Sequence, residues 1–370
     1  MSEPKPRVLL LFGGRSSEHS VSCVTAAGVM QEIDKDRFEV IPVGITRAGA
    51  WTLVDQDSPD WTLSSGNLPE ISVADKPVHL SNDGQRTCLL QYSGSEITDL
   101  GPIDVVFPLL HGPFGEDGSI QGMLEMSGVS YVGSGIAASA MGMDKHFMKV
   151  VFENAGFNVG PYQVITNKQW LRDSAAALDR CKDLQYPLFV KPARAGSSVG
   201  ITKVEDATQL QAAIELAREE DPKVIVEQGI SGREIECGVL EGHGSLESRA
   251  SMPGEIAVAG NEHTFYDFEA KYVDGAAAKL SCPAVLSDEA TSTIRELAVK
   301  AFDAIDAEGL SRVDFFYTAD GEWIINEINT MPGFTPSSMY PQMWAKTGIG
   351  YSELINELIA LACERKIGLR

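Results

Sequence analysis

The chain has 370 residues, 44% of them hydrophobic and 22% charged, which is the composition of a globular protein large enough for two or three domains. Its 52 acidic residues outnumber the 30 basic ones, and the formal net charge is −22. This balance argues against a protein that binds nucleic acid or an anionic membrane surface. Any site for an anionic ligand must therefore be a local basic patch.

The N-terminal segment, Met1-Ser-Glu-Pro-Lys-Pro, is polar and lacks the apolar core of a signal peptide. No apolar run of the sequence reaches the length of a membrane span. The six cysteines are scattered and none forms a CxxC pair, so reduced, buried thiols are the expectation. We therefore expect a soluble, cytoplasmic protein without a membrane partner.

Strands and helices alternate over the first 135 residues. Strands are predicted over residues 8–12, 38–45 and 104–110, and the first of them leads into a helix that ends near Glu32. Residues 50–100 are rich in Asp, Ser and Gly and predict only short strands and hairpins. This α/β alternation predicts a doubly wound N-terminal domain over residues 1–135.

The remaining chain is predicted to form two further units. Residues 136–227 open with two helices, at 137–142 and 145–155, and continue as strand, helix and strand. Residues 228–370 are rich in β-structure and contain a long polar insertion over residues 261–279. Further helices are predicted over residues 287–306 and from Tyr351 onward. The fold class is α/β, with α+β character in the C-terminal part.

A predicted hairpin near the C-terminus carries four polar side chains. Asp320-Gly321 is a strong turn signal between two apolar runs. With a two-residue loop there, Asp314 lies opposite Glu327, and Arg312 lies opposite Asn329. Side chains two residues apart share one face of a strand, so all four are predicted to point the same way.

Facing carboxylates repel each other, and a hard cation would resolve the conflict. Carboxylate and amide oxygens, completed by phosphate oxygens, suit Mg²⁺. The alternative is a surface ladder of polar residues. The apolar flanks of the hairpin favour a covered sheet with a polar cluster instead.

Glycine-rich and loop segments predict further contacts. Lys191 precedes Gly196-Ser-Ser-Val-Gly200, which can bring backbone N–H groups close to an anion, although the spacing is not that of a P-loop and a plain glycine-rich hairpin remains open. The strand end over residues 224–234 can bind an adenine edge through its backbone and a ribose through Glu234, or can be a domain linker. Aromatic and charged residues over 265–272 suggest a lid, the alternative being a surface loop.

Three loops complete the candidate site. The segments 13–19 and 110–119 follow predicted strands, at the edge of an α/β sheet where ligands bind. Neither segment matches GxGxxG, which disfavours a dinucleotide site, and either can be a plain structural turn. The segment 330–338 offers the N–H of Gly333 to an oxyanion, and its serines precede a helix whose N-terminus favours a carboxylate, unless it is a simple capped loop.

Taken in order, these segments resemble the D-alanine–D-alanine ligases of the ATP-grasp superfamily. The resemblance covers nearly the whole chain. Its motifs are Gly-Gly-x-Ser-x-Glu at 13–18, His-Gly and Gly-Glu-Asp-Gly within 111–118, Met143-Asp-Lys145, Val190-Lys-Pro with Gly-Ser-Ser-Val-Gly, Tyr266–Tyr272, and Arg-x-Asp with Asn-Glu-x-Asn-Thr-x-Pro-Gly. Each motif is weak alone, but six in this order are specific. The resemblance implies an ATP-grasp fold after the N-terminal domain.

The resemblance implies two D-alanines, ATP and two Mg²⁺ ions (Mn²⁺ being a possible substitute), and a homodimer. The first D-alanine becomes an acyl phosphate, and the amine of the second D-alanine displaces phosphate. Because a carboxylate is a poor acyl donor, activation by phosphoryl transfer makes chemical sense, and that step needs charge neutralisation and positioning.

The resemblance also assigns roles to residues. Glu18 binds the ammonium group of the first D-alanine near His111, and Ser197 and Tyr272 complete a hydrogen-bonded group with Glu18. Arg312 and the N–H of Gly333 stabilise the oxyanion, and Ser338 receives the second carboxylate. The ATP contacts are Lys145 and Lys191 at the phosphates, Lys271 at the γ-phosphate, and Glu227, Gln228, Ile230 and Glu234 around adenine and ribose. The metal ligands are Asp314, Glu327 and Asn329.

The sequence departs from the family pattern in two places. Some members end the adenine strand with Glu-Lys-Trp-Leu, where this chain has Glu227-Gln-Gly-Ile230, and Ala195 stands where an acidic residue often precedes the loop glycine. Tyr272 favours D-alanine over D-lactate as second substrate. The alternatives are a D-alanine–D-lactate ligase, another ATP-grasp carboxylate ligase, or a nucleotide-binding protein without activity.

Overall fold

The computed structural model describes residues 4–55, 61, 68–258, 278–366 and 368. The predicted lid over residues 265–272, with Lys271 and Tyr272, lies outside the described residues.

A five-stranded sheet forms the N-terminal part. In spatial order its strands are β3 (Trp51–Leu53), β2 (Glu39–Ile45), β1 (Arg7–Gly13), β7 (Val105–Pro108) and β8 (Ser130–Tyr131). β1 pairs in parallel with β2 and β7, and the side chains from Val8 to Phe12 are fully buried. Burial on both faces explains the uninterrupted apolar run of β1, and the predicted parallel sheet is confirmed.

Different elements cover the two faces of this sheet. Helix α1 (His19–Glu32) packs on the face that carries Leu10. Helix α2 (Ser119–Ser127) and a small antiparallel sheet pack on the face that carries Leu9. The small sheet consists of β4 (Val78–Asn82), β5 (Thr87–Ser93) and β6 (Glu96–Pro102). The prediction of short strands and hairpins within residues 50–100 is therefore confirmed.

Two helices lead into a second, antiparallel sheet. They are α3 (Ile136–Met143) and α4 (Lys145–Asn154). The sheet order is β11 (Thr202–Val204), β10 (Leu188–Pro192), β12 (Val224–Gln228) and β9 (Tyr162–Ile165). The helices of this region are α5 (Asn167–Arg172), α6 (Ser174–Asp179) and α7 (Ala207–Glu220), and a 3₁₀ turn spans Arg180–Asp183. The two predicted opening helices are confirmed.

The third large sheet carries the predicted hairpin. Its main order is β16 (Ala278–Ser281), β15 (Gly254–Val258), β13 (Arg233–Leu240), β17 (Leu310–Tyr317) and β18 (Trp323–Asn329), and β14 (Arg249–Ala250) pairs with β13. Helix α8 (Asp288–Ala304) packs on it through Ile294, Ala298 and Phe302. The side chain of Ser287 accepts a hydrogen bond from the N–H of Ala290 and so caps this helix.

The last two helices return to the N-terminal sheet. They are α9 (Met339–Thr347) and α10 (Tyr351–Glu364). Leu354 and Leu358 join the apolar core that contains Val8 and Leu10. This packing holds the loop between β18 and α9 against the N-terminal sheet, so loops distant in sequence meet in one cleft.

The described part of the chain also bears on the expectations about membrane spans and cysteines. Within residues 4–55, 61, 68–258, 278–366 and 368, no helix has both the length and the apolar character of a membrane span. Four of the six cysteines (Cys23, Cys88, Cys181 and Cys237) are buried.

Candidate active site

The hairpin of β17 and β18 has the predicted register at its polar end. Arg312 pairs with Asn329, and Asp314 pairs with Glu327. The alternating residues Val313 and Ile328 are buried. All four polar side chains line one cleft, so the prediction that they share a face is confirmed.

The turn of this hairpin differs from the assumed two-residue loop, and that assumption is wrong. The N–H of Thr318 donates to the carbonyl of Glu322 (3.0 Å), and the N–H of Gly321 donates to the carbonyl of Thr318 (3.1 Å). Gly321 has a φ of +81°, a conformation that glycine adopts without strain. The result is a three-residue loop, which shifts the register near the turn by one residue.

A β-bulge restores the register before the polar residues. The pairing changes from Phe315–Ile325 to Asp314–Glu327, which leaves Asn326 as the extra residue on β18. A shift of one residue sends every following side chain to the other face of a strand. The bulge is therefore the feature that points Glu327 and Asn329 to the same side as Asp314.

The polar cluster is tightly ion-paired. Arg312 donates from Nε and Nη2 to the two carboxylate oxygens of Asp314, at 2.7 and 2.6 Å. Its Nε also lies 3.3 Å from the carboxylate of Glu236 on β13. Burial alone would lower the pKa of Arg312, but the two carboxylates hold it well above its ordinary value. Arg312 is therefore permanently charged.

The donor set of this cluster fits a hard divalent cation. Asp314 and Glu327 supply carboxylate oxygens, and Asn329 supplies an amide whose nitrogen lies 3.1 Å from Asp314. Two carboxylates and an amide leave coordination positions for water and phosphate oxygens, which is how Mg²⁺ is usually held. The surface-ladder alternative is wrong, because the four side chains are half-buried in a cleft.

Lysines face this cluster from the second unit. Lys145, at the start of α4, lies 3.7 Å from Glu327 and donates to the carbonyl of Ala195 at 3.0 Å. Lys191, on β10, contacts Glu227 at 2.5 Å. These ammonium groups form the local basic patch that an anionic ligand needs in a chain of net charge −22.

Glu227 sits between two lysines. Lys149 Nζ lies 2.8 Å from Oε1 of Glu227, while Lys191 Nζ approaches Oε2. Burial would raise the pKa of Glu227, but the two ammonium groups hold it well below its ordinary value. Sequence reasoning missed Lys149, whose position on the buried face of α4 is the only sequence signal for it.

The strand end after Glu227 forms the next wall of the cleft. The N–H of Gln228 donates to the carbonyl of Pro161 (2.9 Å), and the N–H of Gly229 donates to that of Pro187 (2.8 Å). Ile230 and Glu234 line the same wall. This segment is therefore part of the cleft wall.

The glycine-rich loop reaches the N-terminal loops. The hydroxyl of Ser197 donates to Oε1 of Glu18, and Ser197 and Ser198 have φ values of +45° and +60°. Gly112 has a φ of +71°, and a Cβ there would lie 2.4 Å from Oε2 of Glu18. The positive φ favours glycine at position 112, and the missing Cβ lets the His-Gly pair approach the buried carboxylate of Glu18.

His111 connects these loops with the loop after β18. Its Nδ1 lies 3.2 Å from the carbonyl of Met331, and its Nε2 lies 3.3 Å from the hydroxyl of Thr25. Burial lowers the pKa of His111 below its ordinary value of 6.5, although Glu18 opposes this. The imidazole is therefore neutral at pH 7 and acts through hydrogen bonds.

Glu116 is a second carboxyl group at this end of the cleft. Its Oε1 accepts a hydrogen bond from the N–H of Gly112 at 2.7 Å. Burial and the nearby Glu18 raise the pKa of Glu116 to about 8. The sequence motif contained this residue, but no role was predicted for it.

The loop over residues 330–338 closes the cleft between these two ends. Gly333 and Ser338 both line it. The hydroxyl of Ser338 accepts from the N–H of Thr335 (3.0 Å) and lies 2.7 Å from the hydroxyl of Thr335, directly before α9. The predicted helix after the serines is confirmed.

The cleft has a volume of about 640 Å³ and lies between the three larger sheets. Every predicted site residue that the structure describes lines it. These are Glu18, His111, Lys145, Lys191, Ser197, Glu227, Gln228, Ile230, Glu234, Arg312, Asp314, Glu327, Asn329, Gly333 and Ser338. Trp61, from the insertion that carried no chemical prediction, also lines the cleft.

Three sheets around one polar cleft, with strand ends and a glycine-rich loop directed into it, define an ATP-grasp fold. The chain is similar to the solved D-alanine–D-serine ligase VanG of Enterococcus faecalis, with TM-score 0.79 and 35% identity over 97% of this chain and 100% of that one. It is also similar to the D-alanine–D-alanine ligase of Coxiella burnetii, with TM-score 0.80 and 32% identity over 98% and 94% of the two chains.

Sequence comparisons narrow this class to one family. Residues 7–134 match the family model described as the D-ala D-ala ligase N-terminus, and residues 151–360 match the D-ala D-ala ligase C-terminus. A D-alanine–D-alanine ligase of Arthrobacter sp. (strain FB24) is 64% identical over 99% of this chain and 96% of the relative. The chain belongs to the D-alanine–D-alanine ligase family.

Proposed function

We propose that this protein joins two D-alanine molecules in an ATP-dependent reaction and so supplies D-alanyl-D-alanine for peptidoglycan precursors. The observation that carries the proposal is the convergence of a half-buried arginine, a carboxylate–amide cluster and lysines in one cleft with Glu18. A cation-rich end suits a triphosphate, and the acidic end suits the ammonium group of an amino acid.

The first D-alanine is proposed to bind with its ammonium group at Glu18, close to His111. Ser197 keeps the Glu18 carboxylate in place through its hydrogen bond. The carboxylate of this D-alanine attacks the γ-phosphorus of ATP, the bond to the β-phosphate oxygen breaks, and ADP leaves. The product is an acyl phosphate, a far better acyl donor than a carboxylate.

The second D-alanine is proposed to bind with its carboxylate at Ser338, beside the N-terminus of α9. Its amine loses a proton and attacks the acyl carbon, and inorganic phosphate leaves as the peptide bond forms. Arg312 and the N–H of Gly333 donate hydrogen bonds to the oxyanion of the tetrahedral intermediate. Lys271 and Tyr272 are proposed to complete the site from the lid.

ATP is proposed to bind between the second and third units. Lys145 and Lys191 contact the phosphates, and Glu227, Gln228, Ile230 and Glu234 surround adenine and ribose. Because the amide groups of Gln228 and Gly229 are committed to Pro161 and Pro187, Ile230 is proposed to supply the N–H for adenine. Asp314, Glu327 and Asn329 would hold two Mg²⁺ ions, or Mn²⁺, which supply charge neutralisation at the phosphates when bound.

The cellular and structural setting is part of the same proposal. We propose a cytoplasmic homodimer with D-alanine and ATP as its small-molecule substrates and no nucleic-acid or membrane partner. We propose three domains, over residues 1–135, 136–227 and 228–370. The first domain holds the first D-alanine site, and the third holds the metal site and the lid.

The test is a coupled assay of ADP release together with mass spectrometry of the product, at pH 7 with Mg²⁺. ADP release is expected to depend strictly on D-alanine, and the product is expected to be D-alanyl-D-alanine. D-Lactate and D-serine are offered as competing second substrates. ADP release without D-alanine would contradict the ligase, and comparable product from D-lactate or D-serine would contradict the stated specificity.

A further inference from the structure

Three carboxylates lie side by side across the third sheet. Glu236 on β13 is paired with Asp314 on β17, which is paired with Glu327 on β18. All three line the cleft, and Glu236 is only 4% exposed. Like charges opposite one another on neighbouring strands repel, so this row depends on a cation beside it.

Arg312 is the cation shared by two members of the row. Its guanidinium forms a fork with Asp314, at 2.7 and 2.6 Å, and its Nε also lies 3.3 Å from Oε1 of Glu236. Two hydrogen bonds to Asp314 set the plane of the guanidinium, and the carboxylate of Glu236 adds an electrostatic contact at Nε from the neighbouring strand.

The two carboxylates differ in what else they do. Asp314 belongs to the hairpin with Glu327 and Asn329, where the donor set fits a divalent cation, so a metal competes with Arg312 for its oxygens. Glu236 stands on the neighbouring strand and faces Arg312 rather than Asn329. The contact of Glu236 Oε1 with Arg312 Nε at 3.3 Å favours a pairing role for Glu236 over a ligand role.

We propose that Glu236 is a positioning residue that keeps Arg312 directed at the oxyanion while Asp314 binds the metal. This inference rests on the proposed function, because the oxyanion belongs to the ligase reaction. In this role Glu236 acts through Arg312 rather than directly on substrate or metal. This role therefore predicts that substitutions of Glu236 and Arg312 have strongly non-additive effects on kcat.

The kinetic test is a double-mutant cycle with Glu236→Gln, Arg312→Ala and the double variant. Glu236→Gln is expected to lower kcat by about 10-fold, less than the loss of an oxyanion donor itself, with KM for ATP nearly unchanged. In the Arg312→Ala background the same substitution is expected to cost no further activity. An equal loss in both backgrounds, or no loss in the wild-type background, would overturn the proposal.

A matched control comes from the neighbouring strand. Glu255 on β15 forms a comparable pair with Arg233 at 2.7 Å, outside the cleft lining. Glu255→Gln is expected to leave kcat unchanged. A kcat loss equal to that of Glu236→Gln would show that any lost ion pair in this sheet slows the enzyme, and the positioning role would be wrong.

A second readout does not require activity. Without Arg312 the three carboxylates repel one another, so Glu236→Gln is expected to raise the Tm of Arg312→Ala, whereas it lowers the Tm of the wild-type protein. The same sign in both backgrounds would overturn the pairing. If the wild-type protein makes no dipeptide, the proposed function fails, yet the thermal cycle still reports on the Glu236–Arg312 pair.

Discussion

The carboxylates at the two ends of the cleft have opposite electrostatic surroundings. At the cation-rich end, Asp314 is paired with Arg312, and Glu227 is paired with Lys149 and Lys191. At the acidic end, Glu18 and Glu116 lie close together and are held by hydrogen bonds from Ser197 and Gly112. The first end stabilises ionised carboxylates, and the second raises the pKa of Glu116.

This difference separates the two kinds of ligand that the cleft is proposed to bind. The ammonium and guanidinium groups of the first end can contact a triphosphate once a metal ion competes for the carboxylates paired with them. Excess negative charge attracts an ammonium group, which relieves the repulsion between the acidic side chains. Substituting one carboxylate at each end should therefore change the free energy of unfolding in opposite directions.

The largest effect on stability is expected at Glu227, which is ion-paired with Lys149 and Lys191 at the cation-rich end. Glu227→Gln leaves two nearly buried ammonium groups without their counter-charge, and we expect the free energy of unfolding at pH 7 to fall by about 3–5 kcal/mol. Because the pKa of Glu227 is lowered, its contribution is present above the ordinary value of 4.5 and is lost as the pH falls below it. Urea unfolding at pH 7 and pH 4 measures this.

The control for that measurement is an exposed ion pair of the same unit. Glu205 pairs with Lys203 and is 59% exposed. Glu205→Gln is expected to change the free energy of unfolding by at most about 1 kcal/mol. A similar small change for Glu227→Gln would contradict the stabilising role of the two lysines.

The next effect concerns catalysis at the same end. Arg312→Ala removes the side chain proposed to stabilise the oxyanion, and we expect kcat to fall by about 10²-fold or more, with ATP binding largely kept. Steady-state kinetics and calorimetric titration with ATP separate these two quantities. Unchanged turnover would refute the role of Arg312.

At the acidic end, substituting Glu116 is expected to raise the free energy of unfolding, opposite in sign to the effect of Glu227→Gln. The native state holds the proton of Glu116 more tightly than the unfolded chain, so this group costs stability as the pH rises from about 4.5 to about 8. Glu116→Gln removes that cost and keeps an acceptor for the N–H of Gly112. Relative to the wild-type protein, we expect the free energy of unfolding of the variant to rise between pH 5 and pH 8 by up to about 1.4 kcal/mol per pH unit. An equal change at both pH values would contradict this.

The smallest effect is expected from the lid. Tyr272→Phe removes a hydroxyl proposed to join the Glu18–Ser197 group. We expect looser choice of the second substrate, with KM for ATP nearly unchanged. Product ratios from D-alanine and D-lactate mixtures measure this, and a defect confined to nucleotide affinity would argue against the role.

The sequence predicted most elements of this fold because their signals are local. The apolar run of residues 8–12 marks a buried strand, and Thr318-Ala-Asp-Gly321 marks a turn. The candidate site was also predictable in large part, since the site residues that the ordered motifs named line one cleft wherever the structure describes them. The turn length was not predictable, because the same Asp-Gly signal serves two-residue and three-residue loops.

The amino-acid sequence by itself determined which residue types stand at which strand ends, and hence the polar set that the cleft contains. Only the tertiary structure decided how those groups pair. The bulge at Asn326 turns Glu327 toward Asp314, and the packing of α10 on the N-terminal sheet holds the Met331 carbonyl beside His111. The reason is physical: strand and turn preferences are set by neighbouring residues, whereas ion pairs and burial depend on contacts between segments far apart in the chain.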